Sequence, residues 1–185
     1  MFVKVLSEHG IDHALKGMAL SYKDRAIDTD SWWETQQAKA YKRAALLAPK
    51  EGGHNKFLES ITVYIEVEAT RAFWQEFDTY RVGTTKQSES TMHTLSKRGP
   101  LPEDFEDGIH PFIFDAFCMV WEISKGDITT LKENLPEGFL QRRIICTNYK
   151  VLRNVIWQRE GHRYKRWQFF IDSILEQVEH PEYLK

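Results

Sequence analysis

The chain has little sulfur and no long apolar run. Only Cys118 and Cys146 occur in 185 residues. They lack paired spacing, which excludes a disulfide framework and a cysteine-based zinc site and points to a reducing compartment, the cytoplasm. No stretch of about eighteen apolar residues is present, so no membrane-spanning helix is expected. The opening MFVKVL is too short an apolar run for a signal peptide. Charge of one sign is also missing. With 25 basic and 27 acidic residues and a formal net charge of −2, the composition argues against nucleic acid held by net positive charge and leaves only a local basic patch open. The sequence contains no G-x-G-x-x-G loop, no Walker sequence, no nucleophile elbow and no Cys/His metal spacing. No metal is expected, and any redox or group-transfer chemistry would lean on a bound cofactor.

Aromatic residues, by contrast, are abundant. Six Trp, seven Tyr and eleven Phe must fill a core or cover a subunit interface, because these side chains carry the largest burial energies. The length suits one domain with a core that needs no staples.

Periodicity then orders the chain. After a short first strand, Ile11 to Tyr22 reads as a helix. Ser31 with Glu34 suggests a capping box opening a second helix that runs to about Ala48, and Gly52 and Gly53 break the chain. Ile61, Val63, Ile65 and Val67 alternate with Thr62, Tyr64 and Glu66, the period of a strand with one buried face. Ala69, Ala72, Phe73, Phe77 and Tyr80 follow at helical spacing, so strand passes straight into helix. The polar stretch from about Thr84 to His110 reads as loop. Helices are expected over Phe112 to Ile123 and from Asp127 to Leu135-Pro136, and a strand over Phe139 to Thr147. Two further apolar stripes mark helices: Val151 to Ile156, and Tyr164 to Val178, with Pro181 closing the second.

Three groups of residues carry possible chemistry. Arg142 and Arg143 point to opposite faces of one strand, with Leu140, Ile144 and Cys146 on the face of Arg142. That guanidinium would suit a phosphate, and equally an intramolecular ion pair, which residue statistics alone favour about two to one. Arg159, Arg163 and Arg166 stand at i, i+4 and i+7, which would align them on one helical face: a solvated face, an anion site or a contact to a nucleic-acid backbone. His54 and Glu59 flank a short segment after the double glycine and, taken alone, read as surface residues.

Two blocks of the sequence resemble the flavin-dependent thymidylate synthases, and the resemblance extends over almost the whole chain. The first runs from His54 and Glu59 through SITVYIEVE to TYRVGTTKQSEST. It takes the place of the family's R-H-R-x-x-S-x-N-x-x-S-x-R signature. There Arg81 holds the third position of the trio and Thr84 that of the first serine. Thr79, Tyr80, Lys86, Glu89 and Thr91 replace the other signature residues. The second block, LPEGFLQRRIICTNYKVLRNVIWQREGHR, is similar to the family's run of Leu-Pro, a substrate-binding Arg, Asn-x-Arg, a further Asn and a pyrimidine-polarising Arg. These positions fall on Leu135-Pro136, Arg142, Asn148 with Lys150, Asn154 and Arg159.

The resemblance implies an α/β (α+β) fold with a central mixed sheet packed by helices, and a homotetramer with sites built between subunits. It implies reductive methylation of dUMP or a related pyrimidine nucleotide, with FAD as cofactor and NADPH and methylenetetrahydrofolate as co-substrates. Arg159 would polarise the pyrimidine, and Arg142, Glu76, Thr79, Gln87, Glu89 and Thr91 would face the substrate. Ser21, His54, Glu59, Tyr80, Arg81, Asn148, Lys150, Asn154 and Arg163 would face the flavin, and Lys86 would restore a positive charge lost from the signature. Two other readings remain open: a flavoenzyme that modifies another pyrimidine nucleotide, for example by hydroxymethylation, and a non-catalytic homologue serving as an interaction or nucleic-acid-binding module.

Overall fold

The computed structural model describes residues 1–106 and 109–185. Its four strands are β1 (Phe2–His9), β2 (Thr62–Thr70), β3 (Thr85–Ser88) and β4 (Leu140–Asn148), joined in one sheet in the order β1-β2-β4-β3. The sheet is antiparallel. Within it, the Tyr149 amide donates to Ile61 at the start of β2, while the Arg71 amide past its end donates to Phe139. The helical packing expected from the sequence is present, and neighbouring strands alternate in direction. Side-chain period reports which face a residue takes and is blind to the direction of its neighbour.

Among the described residues eight α-helices accompany the sheet: α1 (Ile11–Ala19), α2 (Thr29–Leu47), α3 (Arg71–Phe77), α4 (Thr91–Arg98), α5 (Pro111–Ser124), α6 (Ile128–Glu133), α7 (Tyr149–Arg159) and α8 (Arg166–Gln177). None of the described helices is long and apolar enough to cross a membrane. The cap of α2 is Asp28, whose carboxylate accepts from the Asp30 and Ser31 amides. The expected Ser31–Glu34 box is therefore displaced, because an earlier carboxylate already satisfies the first-turn donors and suits the positive helix end. The expected loop from 84 to 110 holds β3 and α4. The TKQS of β3 has no apolar alternation, and α4 sits among Ser, Gly and Pro, so local pattern hid both.

Contacts group the chain into two compact units. The first comprises residues Met1–Val3, Glu66–Tyr80 and Lys86–Ile144; the second comprises Lys4–Ile65, Arg81–Thr85 and Ile145–Lys185. In the first, Leu95, Phe105, Phe117, Leu131, Leu135 and Phe139 form a buried cluster, and Trp74 donates its indole N–H to Gln141 O at 2.9 Å. In the second, Leu15, Leu58, Ile61, Val63, Ile145, Leu152, Trp167, Phe170, Ile174 and Tyr183 are buried. Each such side chain contributes about 1.5–3 kcal/mol of transfer free energy.

Arg143 lies on the covered face of β4, its guanidinium 4.3 Å from the Trp74 ring. It donates to both oxygens of Asp78, at 2.9 and 3.1 Å, while Lys86 of β3 reaches the same carboxylate at 2.8 Å. Burial pushes the Asp78 carboxyl upward, but the hydrogen bonds from Lys86 and Arg143 outweigh it and hold the group below its ordinary 3.8. The unfolded chain therefore takes up this proton first as the medium acidifies, and the stabilisation is present above pH ~4 and lost as pH falls through the folded value. Asp78→Asn should cost about 1–2 kcal/mol at pH 7, a figure kept small because the carboxylate is part exposed. Urea titrations at pH 7 and pH 3 should show the gap between wild type and variant narrowing in acid. An equal gap at both would remove Asp78 from this role.

Candidate active site

In the second unit a cleft of about 540 Å³ opens between α1, the 3-10 turn Leu20–Tyr22 and the segment 53–60. Ser21, His54 and Glu59, expected together at the flavin, all line it, beside His13, Met18, Lys56 and Phe57. Sequence reasoning missed Gly17, which also lines this cleft and has no atom within 4 Å of the position its Cβ would take. A helical glycine costs about 1 kcal/mol against alanine; here it leaves open space at the wall. The signal was visible as a lone glycine inside an otherwise good helical pattern.

A second set of expected residues meets where the 81–85 loop lies against the start of α7. Asn148 caps α7, its side-chain oxygen accepting from the Val151 amide at 3.0 Å. Thr147 donates to Gly83 O at 3.0 Å and lies 3.3 Å from Thr84. Gly83 has φ +66, and a Cβ there would stand 2.8 Å from Val151 Cγ2 and 3.3 Å from Asn148 Nδ2. The positive φ and the close contacts make this a position for glycine, and they bring the 81–85 loop against the start of α7. Further along α7, Lys150 donates to the buried Asn55 at 2.6 Å, and Asn154 accepts from Gln158 at 3.1 Å.

Arg159 ends α7. Its guanidinium lies 4.6 Å from the Trp167 ring and its Nη1 is 3.1 Å from His162 Nε2. The expected alignment of Arg159, Arg163 and Arg166 on one helix does not occur. Gly161 at φ +69 separates α7 from α8, which starts at Arg166, so a left-handed turn ends the periodicity that the spacing assumed. Arg163 is exposed in the connection.

The expected substrate residues belong to the first unit. Arg142 lies on the open face of β4 and donates to Glu68 Oε2 from Nε and Nη2, at 3.1 and 2.7 Å. Glu66 stands 3.4 Å from it, and Glu89 accepts from its backbone amide at 2.9 Å. The Glu68 carboxylate raises the Arg142 pKa. The ion-pair alternative is thus realised, and a phosphate would have to displace Glu68. Lys86, expected to restore positive charge here, spends it on Asp78. Thr79 donates to Glu76 O at 2.8 Å, Tyr80 packs edge-on against Phe77 with ring centres 5.9 Å apart, Gln87 is exposed on β3, and Thr91 is buried at the start of α4. Among the described residues no cluster of His, Cys, Asp and Glu could hold a metal.

An antiparallel four-stranded sheet with eight helices in this arrangement is the fold of the flavin-dependent thymidylate synthases. Flavin-dependent thymidylate synthase ThyX from Helicobacter pylori, complexed with FAD and dUMP, superposes with a TM-score of 0.79 at 16% identity, covering 100% of this chain and 98% of that one. A second structure of the Helicobacter pylori protein with FAD and dUMP gives 0.73 at 16% identity, with 100% and 97% covered. No protein-family model and no curated protein matches the sequence.

The two glycines predict substitutions of opposite sign. Gly17→Ala should stabilise the chain by roughly 0.5–1 kcal/mol, since it removes the helix penalty without a clash. Gly83→Ala should destabilise it by more than about 1 kcal/mol through the positive φ and the Val151 contact. Chemical denaturation of both variants checks this, and the same sign for both would refute the reading of the loop.

Proposed function

We propose that the chain is a flavin-dependent thymidylate synthase-like enzyme. Its reaction is the reductive methylation of dUMP or a related pyrimidine nucleotide, with NADPH as reductant and methylenetetrahydrofolate as carbon donor. The observation that carries this reading is the convergence of Ser21, His54 and Glu59, distant in sequence, on one cleft, in a fold whose solved examples hold FAD and dUMP.

The cleft fits a flavin nucleotide in kind. Its volume lies within the range of small-molecule sites. Gly17 and Gly53 leave backbone accessible, Lys56, His13 and His54 offer donors to phosphate oxygens, and Met18 and Phe57 offer apolar surface. When bound, FAD would supply the reducing equivalents. Ser21, His54 and Glu59 would hold it, with Tyr80, Arg81, Asn148, Lys150, Asn154 and Arg163 as the remaining contacts. Arg159 would stabilise negative charge developing on the pyrimidine; its stacking on Trp167 holds the cation in place before reaction, the preorganisation on which electrostatic catalysis depends. Arg142, half exposed, would exchange Glu68 for the nucleotide phosphate, with Glu76, Thr79, Gln87, Glu89 and Thr91 around it. A homotetramer is part of the proposal, supported by the apolar exposed positions Phe112, Met119 and Ile123 of α5, a concentration of surface hydrophobes typical of an interface.

A second reading, action on a different pyrimidine nucleotide, is favoured by the carboxylates Glu66, Glu68 and Glu89 around Arg142, which place negative charge beside any incoming phosphate.

The visible spectrum of the protein with added FAD, followed by titration with dUMP and dCMP side by side, tests both. Flavin bands that shift with dUMP are expected. A shift with dCMP alone would select the second reading, and a protein that ignores FAD would end both. Arg142→Ala or Arg159→Ala should weaken nucleotide binding by about tenfold or more, with Arg166→Ala near wild type; equal effects in all three would sink the residue assignment.

A further inference from the structure

Residues 53–60 form one wall of the cleft, and all of them except Asn55 and Leu58 line it. Those two are buried, at 1% and 0% exposure. The wall is a short 3-10 turn, Lys56–Ser60, entered through Gly52 and Gly53 at φ +72 and +88. Glycine loses more conformational freedom on folding than any other residue, so a wall hung from two of them needs holding beyond them. Leu58 is the apolar hold and Asn55 the polar one. The Asn55 Nδ2 donates to Ala48 O at the end of α2, at 2.9 Å, and its Oδ1 accepts from Lys150 Nζ of α7, at 2.6 Å. A backbone carbonyl only accepts and an ammonium only donates, so these neighbours fix which way the amide faces; the flipped amide would lose both bonds.

We infer that Asn55 is a positioning residue: it ties the cleft wall to α2 and α7, and so sets where His54 and Lys56, the residues on either side of it, meet a ligand. The Ala48 carbonyl lies where helix geometry provides no intrahelical partner, and the Asn55 amide supplies one. Lys150 in turn stands 3.5 Å from Glu51, which Arg153 also approaches at 3.4 Å. Cations of α7 thus hold the chain on both sides of the glycine pair, at residue 51 and at residue 55. Release of Asn55 would let the 52–60 segment open locally while β2 stays closed. The functional consequence rests on the reading of the cleft as the FAD site; the anchoring does not.

Asn55→Leu keeps the branched shape of the side chain and removes both hydrogen bonds, and Lys150→Met removes one of them. FAD affinity is expected to fall about tenfold in each, with the double variant no weaker than the weaker single, because both act through one network. Multiplied effects in the double variant would overturn the inference. Leu131→Ala, in the buried cluster of the first unit, separates positioning from a general loss of stability. It should lower the unfolding temperature at least as far and leave FAD affinity at the wild-type level; a tenfold loss there too would assign the Asn55 effect to stability and overturn the inference. Amide hydrogen exchange of the protein alone tests the anchoring without flavin. Exchange over 52–60 should quicken about tenfold in Asn55→Leu with β2 unaffected, and unchanged exchange over 52–60 would overturn the inference whatever FAD does. A wild type that binds no FAD, with this exchange pattern intact, would end the flavin reading and leave the anchoring standing.

Discussion

The shared carboxylate of Asp78 is the constraint on which the first unit is built. It receives Arg143 from β4 and Lys86 from β3, and so joins an edge strand of poor intrinsic propensity to the strand beside it. TKQS has only one β-branched residue and no alternating apolar face. Its place in the sheet comes instead from the backbone ladder, continued by the Glu89 amide donating to Arg142 O at 3.0 Å, and from Lys86, whose ammonium lies 5.5 Å from the Phe77 ring centre and reaches Asp78. A charge pair thus does for β3 what apolar burial does for β2, and the neighbouring Trp74 keeps the Arg143 fork from turning away.

This explains which parts of the fold are legible in the sequence. Ile61, Val63, Ile65 and Val67 announce β2 because one of its faces is fully buried, and the apolar stripes of α7 and α8 announce those helices for the same reason. β3 stays hidden because its stability comes from partners distant in sequence, and α4 because punctuating residues surround it. The error over Arg159, Arg163 and Arg166 has a different origin. Spacing at i, i+4 and i+7 implies one face only where the helix is continuous, and Gly161 was the residue that denied it.

The candidate site was legible in part, and through different signals. Ser21, His54 and Glu59 look like unrelated surface residues until α1 and the 53–60 segment bring them to one cleft; only likeness to a family could group them in advance. Arg142 shows the reverse. Its chemistry allowed both a phosphate and an ion pair, and neighbouring strand positions decide between them: Glu66 and Glu68 lie two residues apart on β2 and therefore on the same face. Alternation in β2 carried that information, although it was read only for its apolar members.

Electrostatics now limits what the first unit can bind. Lys86 is held by Asp78, Arg143 by the same carboxylate, and Arg142 by Glu68, so these three cations are committed to carboxylates of the chain. A phosphate reaching Arg142 must compete with a two-point carboxylate interaction whose partner is already in place, and it does so in the field of Glu66 and Glu89. Exposed ion pairs are individually weak, about 0.2–1 kcal/mol, so the exchange is not prohibitive.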